Sequence, residues 1–246
     1  MRILEICAGD LESVNAAVAG GAQRIELCSS LAEGGITPSI GFIAMARRIT
    51  REAGVRLHVL IRPRGGDFLY TPEEVACMAV DITSIREGDL ADGVVTGCLD
   101  RDGNVDMEAC RQLMTAAGNL SVTFHRAFDR VADPAKALEE VIALGCDRIL
   151  TSGLASSAFE GREMLRRIRE NAAGRIGIIA AAGVSPENAA GIIAASGVGE
   201  IHASARSLQP SKMRTAGSGV AMGASDSDTR LVTSADIVAG IIKEIQ

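Results

Sequence analysis

The chain contains two Glu-x-Cys pairs, each inside a short apolar stretch typical of a buried strand. Glu5 and Cys7 form the first pair, and Glu26 and Cys28 form the second. Because successive side chains of a strand point to opposite faces, each glutamate shares a face with its cysteine. A positioned carboxylate can move protons, and two adjacent thiolates suit a linear or trigonal Cu(I) site. The pairs therefore indicate acid–base chemistry or copper binding through Cys7 and Cys28.

A second set of polar residues follows the ends of other predicted strands. Guanidinium groups bind carboxylates and phosphates, and small residues let the backbone approach such a group closely. The candidate ligand-binding residues are Arg62, Arg64, Arg126, Asp129, Gly183, Ser204 and Arg206, and the four arginines among them would bind the anion. In this interpretation Glu5 or Glu26 is the general base and His125 is the acid. The alternative to copper binding is thus an enzyme that acts on a small anionic or phosphorylated metabolite.

These residues also have purely structural explanations. The glutamates can pair with Arg24 and Arg148 in the protein centre, since a buried charge needs a partner whatever the function. A buried cysteine can fill space as a small apolar side chain. Nearby carboxylates also raise the pKa of a thiol, which opposes the thiolate that copper needs. The residue types alone leave all of these explanations open.

The elements that must position these residues alternate regularly along the chain. Strands are predicted at 3–7, 23–28, 55–61, 91–96, 120–124, 147–151, 175–180 and 199–203, with a helix after each. Eight such units need about 250 residues, and the chain has 246. The prediction is a single-domain α/β protein, a (β/α)8 TIM barrel, with an open doubly wound sheet as the alternative. Strand parity places His58, His125 and His202 in the lumen with the glutamates.

The sequence also predicts the bounds of one helix and of one loop in the second half of the chain. The sixth helix is predicted over about 156–172. The segment at about 207–231 is rich in Gly, Ser and Ala and predicts one long mobile loop rather than a linker between domains.

Composition excludes several kinds of partner. The net charge is −6 and aromatic residues make up 2% of the chain, so a nucleic-acid surface is not expected. No apolar run reaches the ~18 residues of a membrane span. The N-terminus lacks a signal-peptide pattern, and the six cysteines lack paired spacings, which predicts reduced thiols in a cytoplasmic protein.

The chain resembles the CutC family, long called copper homeostasis proteins. The match runs end to end and is most specific at IELCS (25–29), GGITPS (34–39), HVLIRPRGGDF (58–68), VTFHRAFD (122–129), RILTSG (148–153) and VAMG (220–223). The resemblance implies a barrel, a cytoplasmic location, self-association as a dimer or tetramer, and a Cu(I) role for the cysteines that match Cys7 and Cys28. Motifs such as RPRGGDF (62–68) contain no soft ligands, so they must serve something other than copper.

Overall fold

Eight parallel strands form a closed barrel in this structure, a computed structural model that describes residues 2–213 and 229–246. The barrel strands are β1 (Ile3–Ala8), β2 (Arg24–Leu27), β3 (Arg56–Leu60), β4 (Gly93–Thr96), β5 (Ser121–Phe124), β6 (Arg148–Thr151), β7 (Gly177–Ala180) and β8 (Glu200–Ala203). Each strand pairs with the next in chain order, and β8 pairs with β1. The predicted (β/α)8 TIM barrel is therefore confirmed.

A helix follows every barrel strand. The helices are α1 (Leu11–Ala19), α2 (Ile40–Ala53), α3 (Pro72–Glu87), α4 (Met107–Ala117), α5 (Pro134–Leu144), α6 (Arg162–Ala172), α7 (Ala189–Ser196) and α8 (Ala235–Ile245). Side-chain caps fix several of their starts, and Thr71 and Glu74 form a reciprocal capping box at the start of α3. Within residues 2–213 and 229–246, no helix combines the length and apolar character that a membrane span requires.

The two faces of the barrel strands have different chemistry. Leu4 and Ile6 of β1 are fully buried in the apolar layer between the barrel and its helices. Their neighbours Glu5 and Cys7 belong to the opposite, lumen face, because side chains alternate along a strand. The helix-facing layer therefore supplies the apolar core, and the lumen is free to carry polar side chains.

The sixth helix is shorter than predicted. It begins at Arg162, whereas residues 153–161 form turns. Gly153 and Gly161 are in close backbone contact, because a Cβ built on Gly161 would lie 1.9 Å from the carbonyl oxygen of Ser152. Because this contact holds residues 153–161 in turns, the residues from about 156 to 161 do not form the first turns of the helix as predicted.

The segment predicted as one loop at about 207–231 has strands at both ends. The strand β9 (Arg206–Pro210) pairs in antiparallel fashion with β10 (Thr229–Thr233), outside the barrel. The prediction of a loop is wrong at the two ends of this segment, because they form paired strands in which Leu208 of β9 lies opposite Leu231 of β10. The sequence predicts mobility for the whole segment at about 207–231, of which residues 214–228 lie outside the described residues, so mobility stays a prediction.

Candidate active site

A cavity of about 310 Å³ opens at the end of the barrel where the strands finish. This is the end at which barrels of this kind carry their active sites. The predicted site residues that line the cavity are Cys7, Glu26, Cys28, Arg62, His125, Arg126, Gly183, Ser204 and Arg206. Glu5 is fully buried one layer deeper in the lumen, and neither Arg64 nor Asp129 lines the cavity.

Glu5, His202 and Glu26 form a connected group at the cavity. The closure of the barrel makes Glu5 on β1 the register partner of His202 on β8. Glu5 Oε1 lies 2.7 Å from His202 Nδ1, and Glu26 Oε2 lies 3.7 Å from His202 Nε2. One carboxylate thus orients the imidazole while the second faces its other nitrogen. Such a group can hold and move a proton at a bound molecule.

A buried ion-pair network fixes the deeper carboxylates. Arg24 is 1% exposed and donates hydrogen bonds to Glu5 and, over 2.5 Å, to Glu200. Arg148 lies 3.3 Å from the same Glu200 carboxylate. Burial opposes ionisation of Glu5, but the charge of Arg24 together with the hydrogen bond and charge of His202 outweighs it and holds the pKa of Glu5 well below its usual range. Glu5 is therefore a fixed negative charge.

The pKa values of Glu26 and His202 are both raised above the usual values for their residue types. Burial, reinforced by the charge of Glu5, raises the pKa of Glu26 to about 7. Burial disfavours the charged form of His202, but the neighbouring Cys7 and Glu5 outweigh it and raise its pKa well above the usual value. Near neutral pH the imidazole is thus charged, while the Glu26 carboxyl is poised to gain or lose a proton.

His125 occupies a different environment at the cavity wall. It is 4% exposed, and its ring lies 4.8 Å from the ring of Phe68 between centroids. Burial and the charge of Arg62 lower the pKa of His125 to about 3, so the ring is neutral. Its Nδ1 accepts a hydrogen bond from the amide of Ala127, which leaves the proton on Nε2.

The predicted anion-binding arginines fall into two groups. Arg62 lines the cavity, but its Nη atoms donate to the carbonyl oxygens of residues 33, 35 and 66, so it mainly ties loops together. Arg64 lies outside the cavity, where its guanidinium is 2.6 Å from Glu74 and 3.0 Å from Asp67. Arg126 and Arg206 line the cavity, where Arg126 is exposed and Arg206 is half-buried.

Asp129 lies outside the cavity and contacts Arg126, which lines it. It accepts hydrogen bonds from the Thr151 hydroxyl and from the amide of Ser152, and it pairs with Arg126 over 2.7 Å. These contacts fix the loop that follows β6 and orient Arg126 toward the cavity. The structure therefore places Asp129 as a support for an anion-binding candidate and not at the cavity surface.

The loops after β7 and β8 close one side of the cavity. Ala182 and Gly183 follow β7 with φ values of +80° and +68°, and Ala205 follows β8 with φ +46°. A non-glycine residue with positive φ is uncommon and costs conformational energy. Both loops therefore hold strained backbone at the cavity wall, beside Ser204 and Arg206.

The family model described as the CutC family matches residues 2–207. The chain belongs to the CutC family. It is 53% identical to a CutC family protein of Chromobacterium violaceum over 98% of this chain and 96% of that one. The CutC protein of Streptococcus agalactiae, which carries a provisional assignment to copper homeostasis, has a solved structure with a TM-score of 0.79 and 36% identity, covering 83% of this chain and 99% of that one. A thiamine phosphate pyrophosphorylase of Pyrococcus furiosus, 19% identical with a TM-score of 0.60 and covering 99% of this chain and 95% of that one, shares the fold alone.

The two cysteines singled out in this CutC family chain do line the same cavity. Cys7 packs against the small apolar cluster that contains Cys28, Leu60 and Val95. Burial, with the nearby Glu26, raises the pKa of the Cys28 thiol well above its usual value. Among the described residues, no group of three or more His, Cys, Asp or Glu side chains has a metal-binding arrangement. Thiol sulfur is the donor type that a soft ion such as Cu(I) prefers, and binding such an ion here would require deprotonation of Cys28.

His202 is the functional candidate that the sequence did not assign a role. Strand parity placed it in the lumen, but only the register between β1 and β8 brings it to Glu5. The contact between His202 and Glu5 could have been expected from the predicted barrel, because closure of a barrel makes its first and last strands neighbours. His125 received the acid role instead, as it lies in a conspicuous charged motif.

Proposed function

We propose that this CutC family chain is an enzyme that binds a small anionic metabolite at the barrel mouth and transfers a proton to or from it. The observation that carries the proposal is the Glu5–His202–Glu26 group at the surface of a cavity that also presents Arg126 and Arg206. The arginines would hold the anion, and the acid–base group would act on the bound molecule.

In this proposal the predicted catalytic residues take separate roles. Glu26 is the proton-transferring group, because it faces both the cavity and His202 Nε2. Glu5 is a positioning residue, since Arg24 and His202 occupy its oxygens. His125 acts as a neutral hydrogen-bond donor, because an imidazole with a pKa of about 3 carries no second proton near neutral pH.

Proton transfer can be tested without knowing the product. The protein is incubated in D2O with a panel of small hydroxy acids, keto acids and their phosphorylated counterparts, and proton NMR follows loss of carbon-bound protons. We expect exchange in at least one compound, slowed about 100-fold or more in Glu26→Gln. Glu33→Gln, an exposed carboxylate close to the same mouth, is the matched control and should exchange at the wild-type rate. Exchange in no compound of the panel, or an unchanged exchange rate in Glu26→Gln, would contradict the proposal.

Cu(I) binding is the second candidate function. It is favoured by the presence of Cys7 and Cys28 on one cavity and by the provisional copper homeostasis assignment of the S. agalactiae relative. In this alternative the two thiols hold the ion and the barrel shields it from water. The role in copper homeostasis would follow from such binding.

Native mass spectrometry under reducing conditions separates this candidate from the first. One copper per chain in the wild type, lost in Cys7→Ser and Cys28→Ser, would support a dithiolate site. Cys77→Ser is the matched control, because Cys77 is exposed on α3 and away from the cavity. A Cys7→Ser protein that keeps stoichiometric copper would rule the assignment out.

The cellular setting belongs to the same proposal. All six cysteines are free thiols, which supports a reducing compartment such as the cytoplasm. Self-association as a dimer or tetramer is supported by Leu208 and Leu231, which lie opposite each other on β9 and β10 and are 64% and 53% exposed. Light scattering coupled to size-exclusion chromatography gives the mass directly, and a monomer at micromolar concentration would contradict the expected oligomer.

A further inference from the structure

Arg206 differs from the other arginines at the cavity in having no side-chain partner among the residues that the structure describes. Arg62 donates to three carbonyl oxygens, and Arg126 pairs with Asp129. In the described part of the chain, Arg206 makes no side-chain hydrogen bond and no ion pair, although it is half-buried and lines the cavity. A half-buried guanidinium without a counter-charge is costly unless a ligand supplies one.

Further unused donors lie around Arg206. The amides of Gly183 and Val184, in the strained loop after β7, donate to no acceptor within residues 2–213 and 229–246. The Ser204 hydroxyl, two residues before Arg206, likewise has no partner there. The four residues that carry these groups all line the cavity at the side where β7 and β8 end. Together they offer several hydrogen-bond donors and no carboxylate.

One more unpartnered donor lies on the other side of the barrel mouth. Nε2 of His125 is buried without a hydrogen-bond partner, and the residue lines the same cavity from the end of β5. The Phe68 ring lies against His125, and Leu31 and Leu60 add apolar surface to the same cavity. Because a buried N–H group without a partner is destabilising, this position also calls for an oxygen from a ligand.

We infer that the cavity takes a phosphate monoester of a short, oxygenated carbon chain, with the phosphate held by Arg206, Ser204 and the amides of Gly183 and Val184. A carboxylate offers only two oxygens, whereas a phosphate offers three terminal oxygens and about two negative charges, enough for all of these donors. The chain would run along the apolar wall, and an oxygen at its far end would accept from His125 Nε2. The inference rests on the proposed function and narrows its substrate class.

Titration calorimetry at constant ionic strength tests the phosphate end. The probes are inorganic phosphate, glycerol 3-phosphate and glycerate, the last being a carboxylate of similar size. We expect saturable binding of both phosphates to the wild type. In Arg206→Gln the affinity for each phosphate should fall by at least about tenfold. The matched control is Arg230→Gln, which removes the same charge from the neighbouring β10 but breaks only a surface pair with Glu12. Its affinity should stay within about twofold of the wild type.

Two further variants keep the inference testable if Arg206→Gln does not fold. Ser204→Ala should weaken both phosphates by a smaller factor. His125→Asn preserves an acceptor for the amide of Ala127, so it should weaken glycerol 3-phosphate and leave inorganic phosphate unchanged. Equal binding of both phosphates to the wild type and to these variants would overturn the inference.

The outcomes also separate this inference from the proposed function. If glycerate binds and neither phosphate does, the phosphate assignment is wrong while an anion-binding enzyme remains. If no anion binds at all, both are wrong. Phosphate binding that Arg230→Gln weakens as much as Arg206→Gln would show general charge attraction and would also overturn the assigned site.

Discussion

The pH dependence of stability offers a quantitative test of the environment of Glu26. In the folded protein, burial raises the pKa of this carboxyl from 4.5 to about 7. The unfolded chain therefore releases the proton at lower pH than the folded chain does. Between these two values a rise in pH favours unfolding, because only the unfolded state gains by ionising. Above the folded pKa both states are ionised and the contribution stops changing.

The size of the effect follows from that gap. The interval from 4.5 to about 7, at about 1.4 kcal/mol per pH unit, corresponds to about 3 kcal/mol of lost stability. Glu26→Gln cannot ionise and is free of this loss. The free energy of unfolding of Glu26→Gln minus that of the wild type should therefore rise by about 3 kcal/mol across this window and then level off.

Urea denaturation at a series of pH values from about 4.5 to 8 measures the difference. His202 is present in both proteins, so the comparison removes most of its own titration. Glu139→Gln is the control, because Arg175 lowers the pKa of Glu139 and its titration lies below the window. A difference between Glu26→Gln and the wild type that stays flat across the window would refute the buried, proton-holding environment of Glu26.

Two further substitutions test the architecture around the site. Arg24→Met leaves Glu5 without its buried cation and should lower the free energy of unfolding by about 3–5 kcal/mol in urea denaturation, so an unchanged value would contradict the ion-pair network. Gly93→Ala should cost about 1–3 kcal/mol, since its Cβ would lie 2.6 Å from the carbonyl oxygen of Ser121 and 2.8 Å from Nε2 of His58. The control Gly199→Ala meets nothing within 4 Å and should stay within about 0.5 kcal/mol of the wild type. Equal melting temperatures of the two alanine variants would argue against tight packing of the lumen around Gly93.

The barrel could be predicted because its signals are local. Each strand reads as a short apolar run, and alternation along it places Glu5 with Cys7 and Glu26 with Cys28 on one face. The fold and the presence of both pairs at one cavity follow from these local patterns plus the count of eight units. Little tertiary information is needed for that much.

The partners of individual side chains could not be predicted, because they depend on contacts between distant segments. His202 meets Glu5 only through the register in which the barrel closes. Arg64 pairs with Glu74 and lies outside the cavity. Arg62, only two residues earlier, lines the cavity. The strands β9 and β10 pair across a long segment rich in Gly, Ser and Ala. Composition alone predicts a loop over this whole segment, including the two strands.

The proton-holding role of Glu26 beside a charged His202 is the central claim, and an NMR titration of selectively labelled protein tests it most directly. The side-chain carboxyl carbon of Glu26 and the ring nitrogens of His202 are followed from about pH 4 to 9. The structure predicts a midpoint near 7 for Glu26 and an imidazolium at His202 throughout the neutral range. Full ionisation of Glu26 below pH 5 together with a neutral His202 at pH 7 would contradict the account.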